Sequence, residues 1–269
     1  MAQVKALVIT GYGTNCHAES AHAATQAGAD SATVVYFSDL VAGRNRLEDY
    51  NFLIFPGGFL DGDDLGAAQA AALRWKFAKT KDGHALLDQL KAFFNAGGLV
   101  MGICNGFQLL VKLGLLPGLN GEYFDRQVSL SLNDSAKFED RWVQLKANPN
   151  SPCVFTKGID TLDLPIRHGE GKLIPKDDAT LQALIDNNLI ALQYAHPESG
   201  APTQEYPFNP NGSPHAIAGL TDPSGRVLGL MPHPEAFNHK TNHPNWTRGI
   251  DTQLGTVLME NAVNHLKGQ

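Results

Sequence analysis

The sequence predicts an α/β fold: a doubly wound, mostly parallel central sheet with a nucleophile elbow and an antiparallel β excursion. Three observations carry that expectation. Short apolar runs stop at glycine or proline, helix-patterned segments separate them through the first half, and strand patterns with polar turns take over after residue 123. Alternating strands and helices imply crossovers, hence parallel pairing with helices on both faces. At 269 residues the chain can bury a large core unaided. With no internal repeat and no flexible linker, it is expected to form one domain over residues 1–269.

The elements follow in order. Val4–Thr10 is rich in β-branched residues and stops at Gly11, and His17–Ala27 has helical composition and stops at Gly28. Ala32–Phe37 and Phe52–Phe55 read as strands, the second ending at Pro56-Gly57-Gly58. Ala85–Asn95 places Leu86, Leu87, Leu90, Phe93 and Phe94 at helical spacing, Leu99–Ile103 is a buried strand, and Phe107–Leu113 returns to helix. Beyond residue 123, Gln127–Leu132, Arg141–Lys146 and Leu189–Tyr194 read as strands. Ala216–Leu220 and Arg226–Met231 pair through the turn Asp222-Pro223-Ser224-Gly225. His196–Pro214 is an ordered loop, and Trp246–Lys267 closes the chain as a helix.

Composition narrows the partners. Twenty-one Lys and Arg against 27 Asp and Glu give a net charge of −6 without basic runs, which argues against a nucleic-acid or anionic-membrane surface. The start, MAQVKALVITGYG, breaks too early for a signal peptide, and no apolar run is long enough for a membrane span. Cys16, Cys104 and Cys153 make neither a disulfide framework nor a CxxC pair. A cytoplasmic protein is expected.

The sharpest motif is Gly102-Ile103-Cys104-Asn105-Gly106, set between a strand and a helix. This G-x-C-x-G pattern is the cysteine version of a nucleophile elbow: small flanking residues allow the tight turn that lifts the side chain above the sheet. A helix N-terminus favours the thiolate, and the Asn105 amide can face a developing oxyanion. The bland alternative is a small buried hydrophobe, as most free cysteines are. The paired glycines at the junction weigh against it.

A thiol needs a base. His233 follows the strand Arg226–Met231, and the flanking Pro232 and Pro234 suggest extended backbone that puts Glu235 on the same side. Cys104, His233 and Glu235 then read as nucleophile, base and orienting acid. A rival metal reading uses His233, Glu235, His239 and His243, with His196-Pro197-Glu198 as a second source, but the spacing matches no helical ligand pattern. No metal is expected, and His239 and His243 read as exposed loop histidines. The turn Pro56-Gly57-Gly58-Phe59 after a buried strand can offer a second backbone amide to an oxyanion or be an ordinary glycine turn. Arg167–Lys172 lacks the Ser or Thr of a phosphate loop, and Gly11–Asn15 has too few glycines for a dinucleotide fingerprint.

These residues resemble the class I, triad-type glutamine amidotransferases. GICNGFQLL (102–110), PGG (56–58) and MPHPE (231–235) carry the resemblance. GTNCHAE (13–19), FDRQVSL (124–130), RHGEGK (167–172) and the NPNGS of 209–213 extend it toward the glutaminase subunits of phosphoribosylformylglycinamidine synthase. The chain departs from the common pattern at Leu60-Asp61, in a longer 68–84 stretch, and in the 236–249 tail.

The resemblance implies hydrolysis of L-glutamine through a thioester on Cys104, with Gly58 and Asn105 as the oxyanion amides. It also implies that Gly57, Gln108, His168, Gly169 and Glu170 contact substrate. No cofactor is implied in this chain. ATP and Mg would sit on a separate synthetase subunit that receives the ammonia, and a small accessory subunit would complete the assembly. The alternative is a stand-alone cysteine hydrolase of the same fold, a peptidase or γ-glutamyl hydrolase.

Overall fold

The computed structural model describes residues 2–250 and 252–268. In chain order it contains β1 (Lys5–Thr10), α1 (His17–Gln26), β2 (Ser31–Tyr36), α2 (Phe37–Val41), β3 (Phe52–Phe55) and α3 (Gln69–Phe77). There follow α4 (Leu86–Asn95), β4 (Leu99–Ile103), α5 (Asn105–Leu113), β5 (Val128–Ser131), β6 (Glu139–Ala147) and β7 (Thr161–His168). The chain continues through β8 (Lys172–Pro175), α6 (Asp178–Asp186), β9 (Ile190–Ala195), β10 (Ile217–Thr221), β11 (Val227–Leu230) and α7 (Val257–Lys267).

Nine strands form one sheet in the order β2-β1-β3-β4-β11-β10-β9-β6-β7, and β5 pairs with β8 apart from it. The run from β2 to β11 is parallel, and the extension from β11 through β10, β9 and β6 to β7 is antiparallel. Every residue of β3, β4 and β11 is buried, so the sheet is covered on both faces there. One group of helices joins α1 with α7, and another joins α3 with α4 and α5. Among the described residues no helix is long and apolar enough to cross a membrane.

The predicted α/β architecture with its antiparallel excursion is what forms, and most expected elements fall within one or two residues of their places. The closing helix is a correction. Trp246–Arg248 is only a single 3₁₀ turn, Gly249 takes φ 75°, and the helix starts at Val257. Gly255 just before it is pressed against Pro234, where a Cβ would lie 2.3 Å from the carbonyl oxygen. Asp251, within the expected helix, lies outside the described residues.

Three helices escape the sequence reading. α3 is alanine-rich without an amphipathic stripe and follows Ala68 at φ 60°, α2 is only five residues long, and α6 has a signal in Asp177, whose side chain caps Thr180 N at 2.7 Å. β7 carries Pro165, which is tolerated because β7 is the last strand of the sheet.

Candidate active site

β4 delivers Cys104 to the carboxyl edge of the parallel strands, where α5 begins immediately. The turn bends Cys104 to φ 51° and ψ −105°, a conformation L residues rarely hold. Its amide donates to Leu230 O at 2.8 Å, anchoring the elbow to β11. Gly106 makes the bend feasible: a Cβ there would lie 1.9 Å from Phe55 O, inside the backbone of β3. The thiol is 6% exposed and points at Arg167 O, 3.6 Å away. The Asn105 amide lies in the first turn of α5, where N–H groups have no partner within the helix.

Because β11 pairs with β4, the chain leaving β11 passes beside the elbow. His233 N donates to Pro165 O at 2.8 Å, and Nδ1 meets Glu235 Oε1 at 2.6 Å. Both side chains are buried, His233 at 2% exposure and Glu235 at 0%. The pairing is as expected, but its backbone cause is not. Pro234–Ala236 is a 3₁₀ turn rather than extended chain, and the turn folds Glu235 back onto the imidazole.

Nδ1 carries the proton toward the carboxylate, which leaves Nε2 free of any partner in the structure. Burial alone would push His233 down, but Glu235, then Cys104 and Cys16, outweigh it and hold the imidazole well above its ordinary range. That favours the imidazolium, the neighbour a thiolate needs.

Cys16 was not singled out by the sequence. Its sulfur donates to Asn15 Oδ1 at 3.0 Å and lies 3.9 Å from His233 Nδ1. Gly57 backs the same ring, since a Cβ there would lie 2.6 Å from Cε1. Gly57 therefore supports the imidazole instead of bordering the cavity.

Two lobes of one cavity open above Cys104. The smaller, about 90 Å³, is lined by Asn15, Cys16, Gly58, Phe59, Phe138 and His233. The larger, about 150 Å³, also reaches Cys104 and is walled by Asp63, Gln108, His168, Gly169 and Glu170. A roomier depression of about 680 Å³ near Cys153 and α7 lies away from the elbow and holds no such constellation.

Around Gly58, Asn15 N donates to Gly57 O at 3.4 Å and Phe59 N to Gly13 O at 2.8 Å. In that bridge the flanking residues exchange the bonds, so the amide of Gly58 itself points away from Thr14.

A chain of side chains ties these loops together. Leu60 N donates to Asn105 Oδ1 at 3.0 Å, Asn105 Nδ2 to Gln108 Oε1 at 3.0 Å, and Gln108 Nε2 to Glu170 O at 2.6 Å. Gln108 thus borders the larger lobe while its carboxamide braces the 168–171 loop. Asn133 holds His168: Oδ1 accepts from Nδ1 at 3.1 Å and from Gly171 N at 3.0 Å, and Nδ2 donates to His168 O at 2.8 Å. Burial, then His233 nearby, pushes His168 down to about 3, so it is neutral with Nε2 as an acceptor. The 209–213 loop supports the same turn, with Asn211 Nδ2 donating to Gly171 O at 2.9 Å.

The profile of the CobB/CobQ-like glutamine amidotransferase domain matches residues 3–266. The chain belongs to that family. The amidotransferase is 43% identical over 258 residues to the phosphoribosylformylglycinamidine synthase subunit PurQ of Methanococcus maripaludis, covering 95% of this chain and 91% of that one. It is 41% identical over 265 residues to the PurQ subunit of Dehalococcoides mccartyi, covering 98% of each. Among solved structures it is similar to a chain of PurLQS from Thermotoga maritima, with TM-score 0.70, 28% identity, and coverage of 98% of this chain and 100% of that one.

The remaining histidines of the amidotransferase divide. His239 is exposed and caps its own turn through Thr241, with 2.8 Å between Nδ1 and Oγ1. His243 is a correction: it is only 8% exposed, with its ring 4.7 Å from that of Trp142. Its buried packing has no local signal in a run of polar residues.

Proposed function

We propose that this chain is the glutaminase subunit of phosphoribosylformylglycinamidine synthase, a single amidotransferase domain over residues 1–269 that supplies ammonia for purine biosynthesis. The observation that carries the chemistry is the buried His233–Glu235 pair beside a cysteine held in a strained strand–helix turn.

His233 takes the Cys104 proton through Nε2, and the thiolate attacks the side-chain amide carbon of L-glutamine. Charge moves to the carbonyl oxygen, where the Gly58 and Asn105 amides receive it. Each such donor is typically worth ~3 kcal/mol of barrier. Collapse of the adduct breaks the C–N bond, and the imidazolium returns its proton to the departing ammonia. A γ-glutamyl thioester remains on Cys104. Water deprotonated by His233 cleaves it, releasing glutamate and restoring the thiol. Glu235 fixes the imidazole tautomer, and Gln108, His168, Gly169 and Glu170 form the glutamine pocket, with Gly57 behind His233.

The partner is a synthetase subunit that holds ATP and Mg, with a small accessory subunit completing the complex. The likeness to a PurLQS chain supports the synthetase partner. The chain itself uses no metal or cofactor in this reading, its substrate being L-glutamine. A cytoplasmic location accords with three unpaired buried cysteines.

The test is glutamate release from L-glutamine, with and without the synthetase, for wild type and Cys104→Ala. Partner-stimulated release that vanishes in Cys104→Ala is expected, while synthesis from added ammonium survives. A partnered wild type that releases no glutamate would overturn the reading. Release indifferent to the synthetase would point instead to the stand-alone hydrolase.

A further inference from the structure

The larger lobe above Cys104 has a wall whose charge the reaction scheme leaves unused. Asp63 and Glu170 both line it. Glu170 Oε2 is engaged by Ala67 N at 3.2 Å, whereas Asp63 Oδ1 is shut off from solvent and has no hydrogen-bond partner. Lys112 is a nearby cation, but its ammonium donates to Ala67 O and does not line the lobe, whereas Arg167 does. Asp61 is engaged by Arg74. Burial, then the Glu170 charge, raises Asp63 above the ordinary carboxylate range, so the two acids sit close enough to repel one another.

A second feature of the same wall points the same way. His168 is 2% exposed and lines the lobe, and its Nε2 also has no partner. Its Nδ1 proton is committed to Asn133, so Nε2 presents a lone pair. Arg167 lines the lobe as well, so the wall combines buried acceptors and two carboxylates with one guanidinium. The complement is a ligand rich in N–H donors that carries a cation at one end, and a free α-amino acid amide has both.

We propose that Asp63, with Glu170 beside it, receives the α-ammonium of bound L-glutamine and so selects a free amino acid over amides that lack that group. This rests on the glutaminase reading of the pocket. It adds a specificity-determining residue which the 56–67 loop brings in from the side opposite the 168–171 loop.

Two thiol reagents separate recognition from reactivity. The glutamine analogue 6-diazo-5-oxo-L-norleucine carries the α-ammonium and alkylates a cysteine from within a glutamine pocket. Iodoacetamide carries no such group, and its rate, read at the Cys104 peptide by mass spectrometry so that Cys16 and Cys153 do not contribute, reports the Cys104 thiolate. In the chain complexed with its synthetase, Asp63→Asn is expected to slow inactivation by the diazo analogue about 10- to 100-fold, the range of a hydrogen bond to a charged group. The iodoacetamide rate should stay at the wild-type value, and KM for glutamine should rise more than kcat falls. Asp64→Asn, on the exposed neighbour, should change neither rate.

Equal slowing of both reagents by Asp63→Asn, or slowing of neither, overturns the inference. Should Asp63→Asn fail to fold, Glu170→Gln is read with the same two reagents and the same criterion. A wild type that reacts with iodoacetamide but resists the diazo analogue would instead remove the glutaminase reading itself.

Discussion

Glu235 Oε1 lies 2.6 Å from His233 Nδ1, and neither side chain meets solvent. The carboxylate thereby offsets the burial that would otherwise strip the imidazole of its proton. Glu235→Gln keeps the shape and removes the charge. Glutamate release should fall by roughly 10⁴-fold, the loss seen when a triad Asp is replaced by Asn. Iodoacetamide labelling of Cys104 at neutral pH should slow in parallel. An unchanged labelling rate would mean that Glu235 does not govern the charge of His233.

Gly57 and Gly106 should respond differently to alanine. At Gly106 a Cβ would meet Phe55 O at 1.9 Å, an overlap with backbone that no rotamer relieves. Gly106→Ala should therefore cost about 1–3 kcal/mol or more of stability in denaturant titration, as overpacking does. At Gly57 the nearest atom is His233 Cε1 at 2.6 Å, part of the buried imidazole that the proposed mechanism uses as base. Gly57→Ala should displace the imidazole and lower kcat at least tenfold with a smaller change in melting temperature. Equal losses of stability in both variants would refute the distinction.

The pH dependence of stability has a definite sign at His168. Its value is about 3 in the folded protein against an ordinary 6.5, so between those limits the unfolded chain binds more protons. This residue therefore destabilises the fold progressively as pH falls through that window and costs nothing above it. His168→Gln should flatten the acid limb of a stability-versus-pH curve measured by urea unfolding. His233 has the opposite sign: its contribution is full below 6.5 and is lost as pH rises through its elevated folded value.

Cys104 itself should carry a stability cost. At φ 51° and ψ −105° a side chain is strained, and glycine is not. Cys104→Gly is expected to be more stable than Cys104→Ala by about 1–3 kcal/mol, the usual cost of such backbone positions. Comparing the two inactive variants removes the thiol from the question. If alanine proved equal to glycine, the elbow would hold no strain.

What the sequence revealed depended on how local the cause was. The elbow was legible because its two glycines, its cysteine and the helix after it lie within a few residues. The His233–Glu235 pair was legible from spacing, although the 3₁₀ turn that joins them was not. Cys16 and Asp63 were missed although Cys16 lies in the GTNCHAE stretch and Asp63 just after Pro56-Gly57-Gly58, because neither stretch by itself assigns a role to them. They reach the cavity only through the Thr14–Gly58 bridge and the fold of the 58–67 loop. The closing helix was overextended because helical composition continues upstream while two glycines interrupt the backbone.

The position of β11 bears on how the protein comes off the ribosome. Among the described residues it is the last strand in the chain, yet it sits between β4 and β10 in the middle of the large sheet. Until residues 227–230 emerge, β4 and β10 each present an unpaired edge, and the Cys104 amide lacks the Leu230 carbonyl that anchors it. A nascent chain halted before that point holds Cys104 but neither His233 nor the strand that positions the elbow. The four-residue strand that fills the middle of the sheet is thus also the one that leads His233 and Glu235 up beside Cys104, and it is among the last parts of the chain to be made.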